Sequence, residues 1–124
     1  MGLDAYVFRI PVEEIPDGDE WDPYEVLHVR IGNGGMVAYL AVLIEGLPDG
    51  PSRFPLILSR VLYSGTHCGD QIDVGEMEAL RREVEALPVN LPEDVIEGGL
   101  GAMFKAKLLA LCHAALTLGT PIHF

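Results

Sequence analysis

Basic residues and cysteines are scarce in this chain, and each shortage excludes a class of function. Only 8 lysines and arginines accompany 19 aspartates and glutamates, so the formal net charge is -11. Phosphate backbones are bound by lysine and arginine side chains that displace counterions, so we expect no direct binding of nucleic acid. The 2 cysteines are too few for the disulfide framework of a small secreted protein. This favours a reducing, cytoplasmic location.

The sequence also lacks the spacings that mark metal and phosphate sites. It contains no Cys-x-x-Cys or His-x-x-x-His pair. The run Gly32-Asn33-Gly34-Gly35 has neither the Gly-x-Gly-x-x-Gly pattern nor a Gly-Lys-Ser/Thr ending. The acidic stretch at 17–22 has no glycine at the position that an EF-hand loop requires, and no glutamate stands at the twelfth position of such a loop. We therefore expect no bound metal and no other cofactor.

No segment has the pattern of a secretory signal or a membrane anchor. The N-terminal residues carry no basic region followed by an apolar one, so no signal peptide is expected there. The apolar run at 100–118 is long enough to cross a bilayer. It contains Lys105, Lys107 and His113, however, which are costly to bury in lipid. A core helix without membrane association is the better interpretation.

What is present is an apolar sequence that glycines and prolines divide into short periodic segments. The 124 residues, 49% of them hydrophobic, fit one globular domain covering 1–124. Apolar alternation predicts antiparallel strands at 3–10 and 24–31, a third strand at 56–63 and a last one at 120–124. The segment at 36–46 fits either a buried strand or a short helix, and its helix-forming residues and Gly46 favour the helix.

Two further helices are predicted in the second half of the chain. Val74, Met77, Leu80 and Val84 recur at helical spacing, and Asp73 with Glu76 forms a capping-box pattern. The segment at 102–118 is apolar nearly all round and is predicted to be the central core helix, with Cys112 and His113 inside the core. The predicted class is α+β, with a small, mostly antiparallel sheet packed against these two helices.

Most chemically versatile side chains fall in the loop at 64–73, which begins Ser64-Gly65-Thr66-His67-Cys68-Gly69-Asp70. One interpretation is a small enzyme that uses Cys68, His67 and Asp70, with Cys68 as a nucleophile activated by the following helix and by a histidine such as His113 or His28. Against it, Asp70 and Asp73 would raise a nearby thiol pKa. The other interpretation is a turn shaped by Gly65 and Gly69. Such a turn could present Ser64, Thr66, His67, Cys68 and Asp70 for recognition.

A second candidate surface lies in the acidic loop at 13–22. Trp21 lies in this loop, with Tyr24 and Tyr6 beside it, and rigid aromatic residues within a charged rim are typical of binding hot spots. Alternatively, Trp21 anchors the loop onto the core.

Three landmarks of the sequence resemble a group of small bacterial proteins without an established activity. They are the opening Met-Gly-Leu-Asp-Ala-Tyr, the central Leu-Tyr-Ser-Gly-Thr-His-Cys-Gly-Asp and the ending Leu-Gly-Thr-Pro-Ile-His-Phe. That resemblance implies a compact bacterial cytosolic domain. The size and acidity also resemble the immunity proteins of polymorphic toxin systems.

These observations favour a protein-interaction module without enzymatic activity. In this hypothesis, which includes an immunity-type role, the acidic and polar loops bind a basic partner. The alternative is a small enzyme or ligand-binding protein that uses the loop at 64–73. A third alternative is a homodimer in which an exposed strand or helix face serves only to join the two copies.

Overall fold

The computed structural model of the protein describes residues 2–65, 67–92, 94 and 99–124. The strands, in chain order, are β1 (Gly2–Phe8), β2 (Glu25–Asn33), β3 (Gln71–Ile72) and β4 (Ile122–His123). The α-helices are α1 (Gly34–Glu45), α2 (Gly50–Arg53), α3 (Val74–Ala86) and α4 (Leu100–Leu118). Shorter turns are the 3-10 turns Val12–Glu14 and Asp22–Tyr24 and the π-helical turn Ile57–Val61.

The four strands form one antiparallel sheet in the order β2-β1-β4-β3. Residue Tyr6 of β1 is paired with His28 of β2 on one side and with His123 of β4 on the other. The predicted antiparallel pairing of the first two strands and the α+β class are confirmed. Placing β1 at the centre brings residues from both ends of the chain onto one face of the sheet.

Side chains of β1 alternate between two environments, as a strand requires. Leu3, Ala5 and Val7 are fully buried and belong to the hydrophobic core that includes the inward faces of α3 and α4. Tyr6 and Asp4 lie on the opposite face and are half-buried. The helices therefore cover one face of the sheet, and the other face, here called the outer face, carries the polar and aromatic side chains.

The segment that the sequence left open, at 36–46, is helical. Asn33 caps α1, because its Oδ1 accepts a hydrogen bond from the Met36 backbone N–H at 2.9 Å. Val37, Leu40 and Ile44 form the buried stripe of α1, and the helix ends at Gly46. The helix prediction is confirmed, and the cap explains why the chain leaves β2 directly into a helix.

The predicted strand at 56–63 is wrong. This segment contains the π-helical turn, in which Ile57 and Val61 are buried. Periodicity cannot assign so short an apolar run. A long-range contact accompanies the helical conformation, since the Glu83 carboxylate accepts the backbone N–H groups of Leu56 at 2.9 Å and Ile57 at 3.1 Å. These N–H groups open a helical turn, and the residue that satisfies them lies on α3.

The predicted boundary of α3 is right, but the predicted capping box is wrong. Asp73 occupies the N-cap position, yet its carboxylate accepts a hydrogen bond from the Gln71 side chain. Glu76 forms an ion pair with Arg60, with Nη1 and Oε2 2.6 Å apart. The ion pair to a neighbouring segment takes the carboxylate away from the local capping position.

Helix α4 confirms the predicted helix at 102–118 and the buried position of Cys112. His113 is exposed, so its predicted place in the core is wrong. Within the described residues, α4 is one helix whose length and composition would allow it to cross a membrane, although 33% of the relevant window is buried inside the protein. A helix packed along one side buries only a stripe of its surface, which leaves His113 outside.

Candidate functional site

The loop at 64–73 is hydrogen-bonded to Phe124, the residue that follows β4. Gly69 N–H donates to Phe124 O, and Phe124 N–H donates to Asp70 O, both at 2.8 Å. Gly69 has a φ of 86°, a left-handed conformation that favours glycine. The predicted role of Gly69 in shaping the turn is therefore confirmed.

Gly65 is required for a different reason. A Cβ built on this residue would lie 2.5 Å from Gly34 Cα, so the two backbones approach too closely for a side chain. The contact seats the start of the loop on the first residue of α1. Ser64, next to it, is half-buried. The remaining predicted member of this part, Thr66, lies outside the described residues.

The side chain of His67 is buried within the loop. Its ring lies between those of Tyr63 and Phe124, with centroids 4.5 and 4.7 Å away. Nε2 is 2.9 Å from the carbonyl oxygen of Val61, and Nδ1 is 3.1 Å from Asp70 Oδ2. Because a carbonyl only accepts, Nε2 must carry the proton and donate it. These contacts identify His67 as an anchor of the loop.

Asp70 completes the same cluster. The Tyr63 hydroxyl donates a hydrogen bond to Asp70 Oδ2, the oxygen that also faces His67. This bond raises the pKa of Tyr63, because it stabilises the protonated phenol beside a carboxylate. The aspartate proposed as a catalytic or binding residue therefore has structural partners on two sides.

Cys68 follows this anchor and is exposed. The histidines considered as its base have other positions: His67 donates to Val61, His28 Nε2 is 2.9 Å from Asp4 Oδ1, and His113 is exposed on α4. The second cysteine, Cys112, is buried, and burial raises the pKa of its thiol to about 12. Cys68 is thus the accessible thiol, and its role as a nucleophile stays a prediction.

Two of the predicted binding residues, Trp21 and Cys68, meet in one cleft on the outer face. This aromatic cleft has a volume of about 290 Å³. Its lining combines aromatic rings, two carboxylates and one thiol: Tyr6, Phe8, Trp21, Asp22, Glu25, Cys68, His123 and Phe124. The structure therefore joins the acidic loop to the loop at 64–73, which lie far apart in the sequence.

The Trp21 ring stands at a steep angle to two neighbouring rings of the cleft. Trp21 makes edge contacts with Phe8 at 5.8 Å and 81° and with His123 at 5.7 Å and 79°. Trp21 nevertheless keeps 45% of its surface exposed. The contacts with Phe8 and His123 support the anchoring interpretation, and the role of the exposed part of the residue in binding stays a prediction.

Tyr24, the other aromatic residue predicted for binding, is not among the residues that line the cleft. Its hydroxyl donates to Asp19 Oδ2 at 3.0 Å, and the guanidinium of Arg9 lies 4.6 Å from its ring centroid. The hydrogen bond to Asp19 raises the pKa of Tyr24. Tyr24 thus fastens the acidic loop beside the cleft.

Negative charge dominates the surroundings of the cleft. Burial raises the pKa of Tyr6 first, and the carboxylates of Asp4, Glu25 and Asp22 raise it further. Burial lowers the pKa of His123, with Glu13 opposing the shift, which favours the neutral ring. Among the described residues that line the cleft, the formal charges at neutral pH come from Asp22 and Glu25.

Sequence reasoning missed four residues of this site: Phe8, Glu25, His123 and Phe124. The alternation of Tyr6 with buried residues in β1 was an available signal for an aromatic outer face. The contribution of residues 123 and 124 had no local signal, because it depends on the pairing of β4 with β1.

In the described part of the chain, no group of three or more histidine, cysteine, aspartate and glutamate side chains is arranged to hold a metal ion. No family model, curated protein or solved structure matches this chain.

Proposed function

We propose that this protein is an interaction module that binds a basic protein partner at the aromatic cleft. The observation that carries the proposal is the meeting of Trp21 and Cys68 in one cleft bordered by Asp22 and Glu25. A partly exposed tryptophan surrounded by charged groups is typical of a binding hot spot, because the ring offers a large contact area with little entropy to lose.

The charge distribution supports the same partner class. The loop before β2 exposes a series of carboxylates, namely Glu13, Glu14, Asp17, Asp19, Glu20 and Asp22. A field of this sign accelerates the approach of a positively charged protein and slows that of an acidic one. An immunity-type protein that neutralises a basic toxin in the bacterial cytoplasm is the specific form of this proposal.

A pull-down at two salt concentrations tests the proposal. The immobilised protein should retain a basic partner at low salt and release much of it at high salt, because ions screen exposed charges. The variant Asp22→Asn with Glu25→Gln should lose the partner. Glu45→Gln with Asp49→Asn removes the same charge from exposed positions near the end of α1 and is the matched control. Retention that ignores both salt and the cleft variant would contradict the proposal.

A second candidate function, a small enzyme or ligand-binding protein, is favoured by one observation. Cys68 is exposed and lies on the wall of a cleft of small-ligand size. An activated thiolate would react with an alkylating reagent at a pH well below the ordinary thiol pKa of about 8.5. A reaction rate that follows an ordinary thiol titration would remove the nucleophile version. The variant Cys68→Ala gives the background reaction.

A further inference from the structure

We infer that the aromatic cleft is a receptor for a single arginine side chain, whose guanidinium group it holds between aromatic rings and two carboxylates. This inference rests on the proposed function for the class of partner. It goes further by assigning the chemical group that enters the cleft.

Aromatic residues form most of the lining of the cleft. Five rings line the cleft, from Tyr6, Phe8, Trp21, His123 and Phe124. The faces of aromatic rings carry partial negative charge and attract cations, with tryptophan the strongest of them. The Trp21 ring is nearly perpendicular to the rings of Phe8 and His123, so the lining has walls of different orientation. Phe8 and Phe124 are buried, and the accessible aromatic surface comes from the exposed Trp21 and the half-buried Tyr6 and His123.

The charged groups that line the cleft are negative. Asp22 and Glu25 lie on the lining and are exposed. An anionic ligand would be repelled by both carboxylates. A neutral apolar ligand would cover them and remove their hydration without offering a partner. A cation satisfies the carboxylates and the ring faces together, so charge complementarity selects the occupant.

The size of the cleft and the shape of the guanidinium group also favour one arginine side chain. A volume of about 290 Å³ is at the lower end of small-molecule sites, which suits one side chain better than a larger ligand. Arginine fits best among the natural cations because its guanidinium is planar, stacks on aromatic faces and pairs with carboxylates through two parallel hydrogen bonds. Lysine offers a more strongly hydrated point charge.

The protein contains its own reporter for the test. Trp21 is the only tryptophan of the chain, so intrinsic fluorescence reports on the cleft directly. We expect N-acetyl-arginine amide to change this fluorescence in a saturable way, with a dissociation constant on the order of millimolar. N-acetyl-citrulline amide, which is neutral and nearly the same shape, should bind at least about fivefold more weakly, since it lacks the cation–π attraction.

Variants separate the cleft from the general charge of the protein. Asp22→Asn with Glu25→Gln should weaken arginine amide binding about tenfold. Glu45→Gln with Asp49→Asn removes the same number of charges elsewhere and should change it less than about twofold. Equal binding of citrulline and arginine, or equal effects of the two double variants, would overturn the inference. Tighter binding of the lysine amide would overturn the choice of arginine.

Cys68 provides a second, independent readout. A methanethiosulfonate reagent forms a disulfide with the Cys68 thiolate and releases methanesulfinate. A cationic reagent with a trimethylammonium group should react faster than the neutral methyl reagent, because the cleft attracts cations. The ratio of the two rates should be larger in the parent protein than in the variant Asp22→Asn with Glu25→Gln. Cys112 is buried and serves as the unreactive thiol. A rate ratio that the cleft variant leaves unchanged would also count against the inference.

The outcomes distinguish this inference from the proposed function. If a basic protein is retained but arginine amide does not bind, the cleft assignment fails and the interaction module stands. If arginine amide binds but no basic protein is retained, the receptor stands and the module fails.

Discussion

Replacing His67 with alanine should destabilise the protein strongly, although this residue was first a candidate for catalysis. Only 4% of the His67 side chain is exposed. Its ring fills the space between Tyr63 and Phe124, and its Nε2 satisfies the carbonyl oxygen of Val61. Alanine removes the ring and the donor at once.

The size of the effect follows from these two losses. Truncating a large buried ring to alanine costs about 3–5 kcal/mol in a rigid core, and a site at the edge of the sheet can partly collapse. Losing the partner of a buried carbonyl adds about 1 kcal/mol. Because collapse should reduce the first loss to about 1–3 kcal/mol, we expect a total of about 2–4 kcal/mol, a substantial share of the roughly 5–15 kcal/mol that stabilises a typical domain. The midpoint of thermal unfolding should fall by about 8–16 °C.

Urea denaturation measures this change. Far-UV circular dichroism and Trp21 fluorescence should give coincident transitions in the parent protein. His113→Ala is the matched control, because it removes the same side chain from an exposed position on α4 and should change the free energy of unfolding by less than about 0.5 kcal/mol. Cys68→Ala, next to the anchor, should also be nearly neutral. If His67→Ala is as stable as these controls, His67 does not anchor the loop, and it is again available as a partner of Cys68 in the catalytic hypothesis.

Three further predictions concern two contacts that position loops and the protonation of His123. Glu83→Ala should cost about 1–2 kcal/mol, because it removes the acceptor of two backbone N–H groups that open the π-helical turn, whereas the exposed Glu85→Ala should cost less than about 0.5 kcal/mol in the same urea titration. Gly65→Ala should cost about 1–3 kcal/mol, since its Cβ would overlap the backbone of Gly34, and unchanged stability would contradict that close contact. Burial lowers the pKa of His123, so the folded state disfavours the protonated ring and loses stability as pH falls from about 6.5 through the lower folded pKa. The free energy of unfolding should therefore fall less between pH 7.5 and 5.5 in His123→Asn than in the parent, and equal losses would refute the burial effect.

Sequence periodicity was sufficient wherever an element is defined by its own residues. The strand around Tyr6 and the helix through Met77 and Leu80 each repeat apolar residues at a spacing set by backbone geometry. Asn33 and Gly46 bound α1 because capping acts within one or two turns. These properties are local, so the linear sequence contains them.

Periodicity failed where a distant residue changed the local preference. The apolar run at 56–63 forms a helical turn whose first N–H groups are satisfied by Glu83, a residue on another helix. Glu76 leaves the capping position for an ion pair with Arg60. In each case a tertiary contact replaced the contact that local pattern predicts.

The sequence by itself determined the α+β class, the acidity and the two loops that carry the candidate side chains, because composition and short-range pattern decide these properties. Only the tertiary structure decided that Trp21 and Cys68 share a cleft and that the side chains of His67 and Asp70 contact each other within the loop at 64–73. The physical reason is the strand order, since pairing β4 beside β1 sets His123 opposite Tyr6 and brings both loops to the outer face.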